Sequence, residues 1–419
     1  MIGLGVLRAY ASKIRLFGRN ARLYLFSLVL SGLAVGIFSL LFNFYILSLG
    51  YDEALLGQLI TTSNTTALLT ALPAGYLADL IGRKQSLVLA GLLSAGAILG
   101  LLGWQSVLGL YMLNIGLGLG QSLTDVTLGP FLMENSGEAE RTYLFSLSFG
   151  VRILAAFGGN WLGGQIPQWA GQWLQVEATD AAAYATALIL VVLLNGLALI
   201  PLLRLHSVPK QEVTPTDRLT PFRYARQHPV LLAQLISPML LLSFGSGLFV
   251  PFMNLFFRDQ HQQDDATIGF LVAWGSLVMA MGLLLAPPLA DRLGKVKLIL
   301  LTQALSIPFM VALGFAPWFW LSAAAYLVRI VLMNMTVPVY QAFVMEKVDQ
   351  KARATVASLF SMSLSLGWAI SPTLSGRLQV QAGFSPIFAL AITLYISAIY
   401  LYWRFFGRNA AAPDTTFPV

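Results

Sequence analysis

GYLADLIGRK, residues 75–84, joins two long apolar stretches of the chain. Gly75 and Gly82 lack a side chain, which lets two helices approach closely and lets the chain turn tightly. Asp79 and Arg83 place opposite charges four residues apart at the same junction. This pattern predicts two membrane helices joined by a short polar turn.

A second copy of this junction, PPLADRLGKVK, lies at residues 287–297, at an offset of 212 residues. The same offset relates Asp79 to Asp291, Gly82 to Gly294, Arg83 to Lys295, Glu134 to Glu346, Arg141 to Arg353 and Gly164 to Gly376. Because chance matches would scatter over many offsets, we interpret the pattern as an internal duplication. Both copies carry basic residues on the same side of the membrane, so each repeat contains an even number of helices, here six.

Of the 419 residues, 57% are hydrophobic and 10% are charged. Soluble domains carry about 25% charged residues, so the composition excludes an ordinary soluble globule, a disordered chain and a nucleic-acid-binding protein. A helix needs about 20 apolar residues to span a bilayer. Twelve apolar stretches, separated by charges, Gly or Pro, run approximately over residues 23–49, 54–79, 85–104, 107–132, 143–167, 183–204, 229–257, 267–289, 297–316, 318–344, 354–376 and 383–405.

The duplication and the number of stretches predict an all-α membrane protein with twelve transmembrane helices in two pseudo-symmetric six-helix bundles. A polar, proline-containing segment near the middle of the chain predicts a linker between the bundles. The predicted domains are an N-terminal bundle at 1–204, a cytoplasmic linker at 205–228, a C-terminal bundle at 229–408 and a tail at 409–419.

The distribution of basic residues predicts the orientation in the membrane, because Lys and Arg concentrate in cytoplasmic loops. With the N-terminus in the cytoplasm, all but four of the 25 Lys and Arg residues lie in cytoplasmic segments; the exceptions are Arg152, Arg258, Arg329 and Arg377. We therefore expect a multi-pass protein of the cell inner (cytoplasmic) membrane with both termini in the cytoplasm.

The residue types needed for most catalytic sites are scarce. Cysteine is absent, and only three histidines occur, all in polar segments. The chain therefore has no thiolate nucleophile and no Cys-ligated metal site, and a membrane-embedded His site is excluded. No Walker loop is present, and no loop is long enough for a catalytic domain. We predict a protein that is not an enzyme and that needs no cofactor and no metal.

The junction at 75–84 resembles the loop signature G-x-L-a-D-r-x-G-r-k of the major facilitator superfamily. The copy at 287–297 is weaker, and Leu80 stands where the family often has Arg. The resemblance implies a twelve-helix transporter, mostly monomeric in the family, in which the junction carboxylate locks the two halves; the alternative is a solvated turn with a local ion pair. The predicted lock consists of Gly75, Asp79, Gly82, Arg83, Glu134, Arg141, Asp291, Gly294, Glu346 and Arg353.

Two further segments are similar to the signatures of drug:proton antiporters of that family, but both are degraded. In residues 110–120, Asn114 occupies the position of the antiporter Arg. In residues 155–164, Asn160 replaces a Pro. The resemblance to antiporters is therefore partial, and proton exchange does not follow from it directly.

Three charged residues lie inside apolar stretches, where ionisable groups are costly and often functional. Asp125 and Arg152 lie about 14 and about 17 Å from the predicted cytoplasmic turn, so we expect an ion pair in the N-terminal half. This pair is either structural or a site of proton binding. Arg329 has no carboxylate at its depth in its own half, and it either pairs with Asp125, binds an anionic group of a substrate or reaches water.

Aromatic and amide side chains in the first and seventh stretches predict a cavity wall, because family members line their cavity with these helices. An aromatic cavity with few charges suits a lipophilic or amphipathic solute. Alternatively, these aromatics face lipid or neighbouring helices. The predicted cavity residues are Phe42, Asn43, Asn114, Gln121, Asn160, Asn254, Phe256 and Arg329.

These observations predict a secondary active transporter that works by alternating access. Its specific form is an antiporter that couples efflux of a lipophilic or amphipathic small molecule to protons. A lipid or lysolipid translocator, or an uncoupled facilitator, is the alternative, and a membrane receptor is the non-transport alternative. The expected partners are a small-molecule substrate, protons and the lipid bilayer, with no nucleic acid.

Overall fold

The computed structural model describes residues 14–138, 140–206, 226–348 and 353–407, and within these ranges the chain forms helices and turns without any strand. The predicted tail at 409–419 and most of the predicted linker lie outside the described residues. The described chain is therefore all-helical, as predicted.

In the described part of the chain, six α-helices lie before the predicted linker and eight follow it. The first group is α1 (Arg19–Ser48), α2 (Glu53–Ile81), α3 (Arg83–Gly103), α4 (Val107–Glu134), α5 (Arg141–Leu174) and α6 (Ala181–Leu203). The second group is α7 (Pro229–Phe249), α8 (Met253–His261), α9 (Asp265–Leu293), α10 (Lys295–Phe315), α11 (Phe319–Asn334), α12 (Thr336–Glu346), α13 (Arg353–Ala382) and α14 (Ser385–Tyr402). A short π-helical segment at Trp403–Gly407 follows α14.

Two of the predicted stretches are each broken into two helices. A 3-10 turn at Val250–Phe252 separates α7 from α8, and Pro251 within it lacks the N–H that a continuous helix needs. Met335 separates α11 from α12. Pro338 removes the donor for the Asn334 carbonyl four residues earlier, which accounts for the second break.

Nine helical segments of the described chain are long and apolar enough to cross a membrane. They are Arg19–Ser48, Arg83–Gly103, Val107–Glu134, Ala181–Leu203, Pro229–His261, Asp265–Leu293, Lys295–Phe315, Phe319–Val344 and Ser385–Gly407. The remaining long helices, α2, α5 and α13, carry more polar side chains. A membrane helix tolerates such side chains where they are shielded from lipid or line a water-filled path.

The contacts divide the chain into two compact units. The first contains Met1–Tyr51, Thr62–Glu212 and Gln263–Ser276, and the second contains Asp52–Thr61, Val213–Gln262 and Leu277–Val419. In the first unit α1 packs against α5 and α6, and in the second α7 packs against α13 and α14. The predicted domain boundaries themselves stay a prediction.

In each unit, glycines let one particular pair of helices approach closely. In the second unit, a Cβ added at Gly57 would overlap the carbonyl of Pro372, and one at Gly376 would overlap the carbonyl of Glu53. In the first unit, a Cβ added at Gly164 would lie 2.6 Å from the carbonyl oxygen of Asp265.

The two crossings are related by the 212-residue offset found in the sequence. Gly269, the counterpart of Gly57, lies against α5 in the first unit, where an added Cβ would be 2.7 Å from the Asn160 carbonyl oxygen. Gly376 is in the same way the counterpart of Gly164. The duplication is therefore visible in equivalent helix contacts as well as in similar residues.

Candidate functional site

Asp125 is an exposed carboxylate in the middle of α4, a helix long and apolar enough to span a membrane. Gln121, one turn earlier on the same helix, donates a hydrogen bond from Nε2 to Asp125 Oδ2 at 2.8 Å. The amide therefore orients one carboxylate oxygen and leaves the other accessible.

Arg152 is the other member of the predicted ion pair and lies exposed on α5. Arg152 is close enough to Asp125 to interact with it electrostatically. Among the described residues, however, no ion pair within 4.0 Å joins the two side chains. The structure thus brings the two charges into one region without the direct contact that was predicted.

The face of α4 that carries Asp125 contacts α2. A Cβ added at Gly118 would overlap the Ser63 carbonyl and lie 2.7 Å from the Thr66 Cβ. Gly118 and Asp125 are seven residues apart and thus lie on the same face of the helix. Asp125 is therefore positioned by a helix contact in which glycine lets the two backbones approach.

The α2 side of this contact is a run of polar residues that the sequence analysis missed. Residues 62–66, here called the polar band, read Thr-Ser-Asn-Thr-Thr, whereas the equivalent positions 274–278 read Trp-Gly-Ser-Leu-Val. All five residues of the band are half-buried. Five consecutive polar residues place polar side chains on every side of a helix. Such a polar run within an otherwise apolar stretch was the signal available in the sequence.

Most of the predicted cavity residues are buried. Gln121 alone among the eight is exposed; the buried ones are Phe42, Asn43, Asn114, Asn160, Asn254, Phe256 and Arg329. Asn114 donates from Nδ2 to the Leu110 carbonyl at 2.8 Å, a bond within α4. The Oδ1 atom of Asn160 is buried without a hydrogen-bond partner. Their role as cavity residues remains a prediction.

The two predicted cavity phenylalanines pack against other aromatic rings. Phe42 lies beside Phe38 on α1, with ring centres 5.1 Å apart. Phe256 lies 4.9 Å from Phe388 and 5.3 Å from Phe384. Both rings therefore make aromatic contacts, and their place in a cavity wall stays a prediction.

Arg329 is 6% exposed, and its Nε and Nη2 atoms are buried without a hydrogen-bond partner. Its guanidinium carbon lies over the Phe249 ring at 4.6 Å and over the Tyr395 ring at 4.9 Å. Cation–π contacts of this kind stabilise a buried guanidinium partly but leave its N–H groups unfilled. Arg329 is therefore a buried cation whose Nε and Nη2 atoms make no hydrogen bond.

The predicted lock residues at the α2–α3 junction form a connected set of charges. Arg83 contacts Asp79 at 2.7 Å and Glu134 at 3.1 Å. Gly82 has a φ of +89°, a left-handed conformation that favours glycine. The junction therefore combines a tight turn with ion pairs from one arginine to two carboxylates.

The second copy of the junction repeats this arrangement. Lys295 forms an ion pair with Glu346, and these residues are the offset counterparts of Arg83 and Glu134. Gly294 has a φ of +81°, which matches the turn at Gly82. The turn and the pairing are hence common to both repeats.

The remaining predicted lock residues differ in how much the structure says about them. Gly75 has open space around it, and Asp291 is exposed. Arg141 donates from Nη2 to the Ser136 carbonyl at 3.3 Å, while its Nε is buried without a partner. Arg353 begins α13, and its side chain lies outside the described part of the chain.

Comparison with known proteins identifies the family. The model of the Major Facilitator Superfamily matches residues 24–372 and 239–417. Sugar efflux transporter A of Dickeya chrysanthemi is 24% identical over 295 residues, which cover 70% of this chain and 72% of that protein. The finding agrees with the signature at the α2–α3 junction.

Solved structures share the fold. A nucleoside transporter superposes with a TM-score of 0.74 at 13% identity, covering 93% of this chain and 98% of its own. A D-xylose-proton symporter superposes with a TM-score of 0.69 at 16% identity, covering 94% of this chain and 98% of its own. These structures show the all-α membrane fold. The match to the family model makes the protein a transporter and not an enzyme, and the chain belongs to the Major Facilitator Superfamily.

Proposed function

We propose that this transporter exports an amphipathic small molecule in exchange for protons, by alternating access, with Asp125 as the proton-binding group. The observation that carries the proposal is the exposed Asp125 carboxylate in a membrane-spanning helix, held by Gln121 and not neutralised by a direct ion pair. Protonation removes a charge whose presence inside a membrane protein is costly, so proton binding can change which conformation is favoured.

Arg152 supplies the second half of this mechanism. It lies within electrostatic reach of Asp125, and its guanidinium carries a positive charge. The ionised carboxylate attracts this guanidinium, and the protonated carboxyl does not. Proton binding at Asp125 therefore releases a charged side chain of α5, which couples protonation to the position of that helix.

The orientation, location and assembly belong to the same proposal. The distribution of basic residues supports an inner-membrane location with both termini in the cytoplasm. A monomer is proposed by analogy with the family. Outward transport is supported by the name of the relative from Dickeya chrysanthemi, which is an efflux transporter.

A sugar or another hydroxylated solute is the second candidate substrate. The 24% identical relative is a sugar efflux transporter, and the polar band on α2 offers hydroxyl and amide groups at the level where α2 meets α4. Groups of these types form the hydrogen bonds that select a hydroxylated ligand. The aromatic clusters, in contrast, favour the amphipathic candidate.

The test is flux into sealed proteoliposomes with and without an imposed pH gradient. Three probes are used: the lipophilic cation ethidium, labelled benzoate and labelled glucose. The wild type should accumulate at least one probe only with the gradient, and Asp125→Asn should retain counterflow of that probe but lose gradient-driven accumulation. Asp180→Asn, the same change at an exposed acid next to α6, should behave as the wild type.

Four results would contradict the proposal. Accumulation in Asp125→Asn at the wild-type level would exclude Asp125 as the proton-binding group. Wild-type flux that does not respond to collapse of the pH gradient would instead support an uncoupled facilitator, and movement of labelled lysolipid alone would support a lipid translocator. Tight binding of a probe without any flux would indicate a receptor.

A further inference from the structure

Arg329 lies within the apolar segment Phe319–Val344, which is long enough to cross a membrane. Its aromatic neighbours Phe249 and Tyr395 lie in two other such segments, Pro229–His261 and Ser385–Gly407. A guanidinium at this position is expensive to maintain without an anionic partner. Among the described residues, no carboxylate forms an ion pair with Arg329 within 4.0 Å.

The two nitrogens of Arg329 without a hydrogen-bond acceptor define the geometry of a matching ligand group. Nε and Nη2 lie on the same edge of the planar guanidinium, and both lack a hydrogen-bond partner. That edge presents two parallel N–H groups, the arrangement that a carboxylate engages through two hydrogen bonds. The rings of Phe249 and Tyr395 lie against the guanidinium carbon, so they provide apolar surface beside the edge.

We propose that the Nε–Nη2 edge of Arg329 binds the carboxylate of the transported solute, which is therefore an organic acid with an apolar or aromatic body. This inference rests on the proposed transport function and adds the chemical class of the substrate. A carboxylate satisfies both N–H groups at once, and the flanking rings contact the adjacent carbon skeleton.

Two helix breaks lie beside this site and explain how a solute reaches it. Phe249 is the last residue of α7, directly before the 3-10 turn. Arg329 lies one to two turns before Met335, where α11 ends. Both nitrogens are shielded from solvent in this conformation. Interrupted helices commonly form the binding sites of transporters, and movement at these two breaks would expose the edge.

The test compares acids with neutral molecules of nearly the same shape. Thermal unfolding of the purified full-length protein in detergent is measured with benzoate against benzyl alcohol and with glucuronate against glucose. The acids, but not their neutral partners, should raise the melting temperature of the wild type. Arg329→Gln should weaken the apparent affinity for the acid at least about 30-fold, because one partner of a buried charged pair is lost.

Two further variants separate this role from a general effect of positive charge. Arg377→Gln makes the same change at an exposed guanidinium of α13 in the same unit and should leave acid binding unchanged. Arg329→Lys keeps the charge but loses the two-pronged edge, so it should bind the acid with an affinity between those of the wild type and Arg329→Gln.

Several results would overturn the assignment. Equal stabilisation of the wild type and Arg329→Gln by the acids would exclude the site. The site would also be excluded if only the neutral molecules stabilised the wild type, or if neither acid did. If chloride or phosphate displaced the acids at equal concentration, the site would be one for inorganic anions instead. Acid binding in a protein without gradient-driven flux would refute proton coupling and leave the Arg329 site standing.

Discussion

Arg83 and Glu134 form an ion pair of 3.1 Å between the start of α3 and the end of α4. The pair recurs 212 residues later as Lys295 and Glu346. The repetition of a contact, and not only of a motif, shows that both junctions preserve the same link between consecutive helix pairs.

The Arg83–Glu134 pair should matter more for transport than for stability. The side chains are 20% and 35% exposed, so a double-mutant cycle with Arg83→Gln and Glu134→Gln should give a coupling of about 0.2–1 kcal/mol in the free energy of unfolding. Transport by Glu134→Gln should fall about tenfold, because a lock biases the balance of conformations. Glu138→Gln, at an exposed acid four residues further on, is the matched control; equal losses in both variants would contradict the lock.

Removal of the Arg329 charge should stabilise the protein in the absence of ligand. Arg329→Leu replaces an unpaired buried guanidinium between two rings by an apolar side chain, and we expect a gain of at least about 1 kcal/mol in the free energy of unfolding. Reversible denaturation in detergent measures this gain. A loss of stability would show that the cation–π contacts outweigh the burial of the charge.

The glycine crossing between α2 and α13 should not accept a side chain. Gly376→Ala places a methyl group against the Glu53 carbonyl, and overlap with backbone should lower the free energy of unfolding by about 1–3 kcal/mol. Gly96→Ala, inside α3 with open space around it, should instead raise it by about 0.5–1 kcal/mol. Similar effects at both positions would mean that the crossing relaxes freely.

The polar band provides the test of the sugar candidate. Thr62→Val combined with Thr65→Val removes two hydroxyls while keeping the shape of both side chains. If a sugar is bound there, stabilisation by glucose should require about 5- to 100-fold more ligand, since a lost hydrogen bond to a buried group costs about 1–3 kcal/mol. Thr186→Val, at a half-buried position of α6, should have no such effect.

The sequence alone predicted the fold class because its signals are long-range and redundant. A lipid environment requires apolar stretches of fixed length, and the offset that relates Asp79 to Asp291 connects positions far apart in the chain. The helix breaks at Pro251 and Met335 were missed, because a proline within an apolar stretch is also compatible with an unbroken helix.

The candidate site was less predictable, because side-chain partners depend on how helices rotate against each other. Depth along the helices placed Asp125 and Arg152 at one level, but depth does not determine whether two side chains meet. The same limitation applies to Phe256, whose neighbours are rings from distant parts of the chain. For Arg329, the described residues form no ion pair with it within 4.0 Å, and its predicted role stays a prediction.

The crossing of α2 and α13 also offers an experimental handle. The Thr373 backbone N–H donates to Thr61 Oγ1 at 3.1 Å, so the two helices touch at these positions. Since the chain has no cysteine, Thr61→Cys and Thr373→Cys would introduce its sole thiols, and no native sulfur would need to be removed first. Cross-linking of that pair by oxidation, followed by reduction, would report directly whether α2 and α13 must separate at this crossing in every turnover.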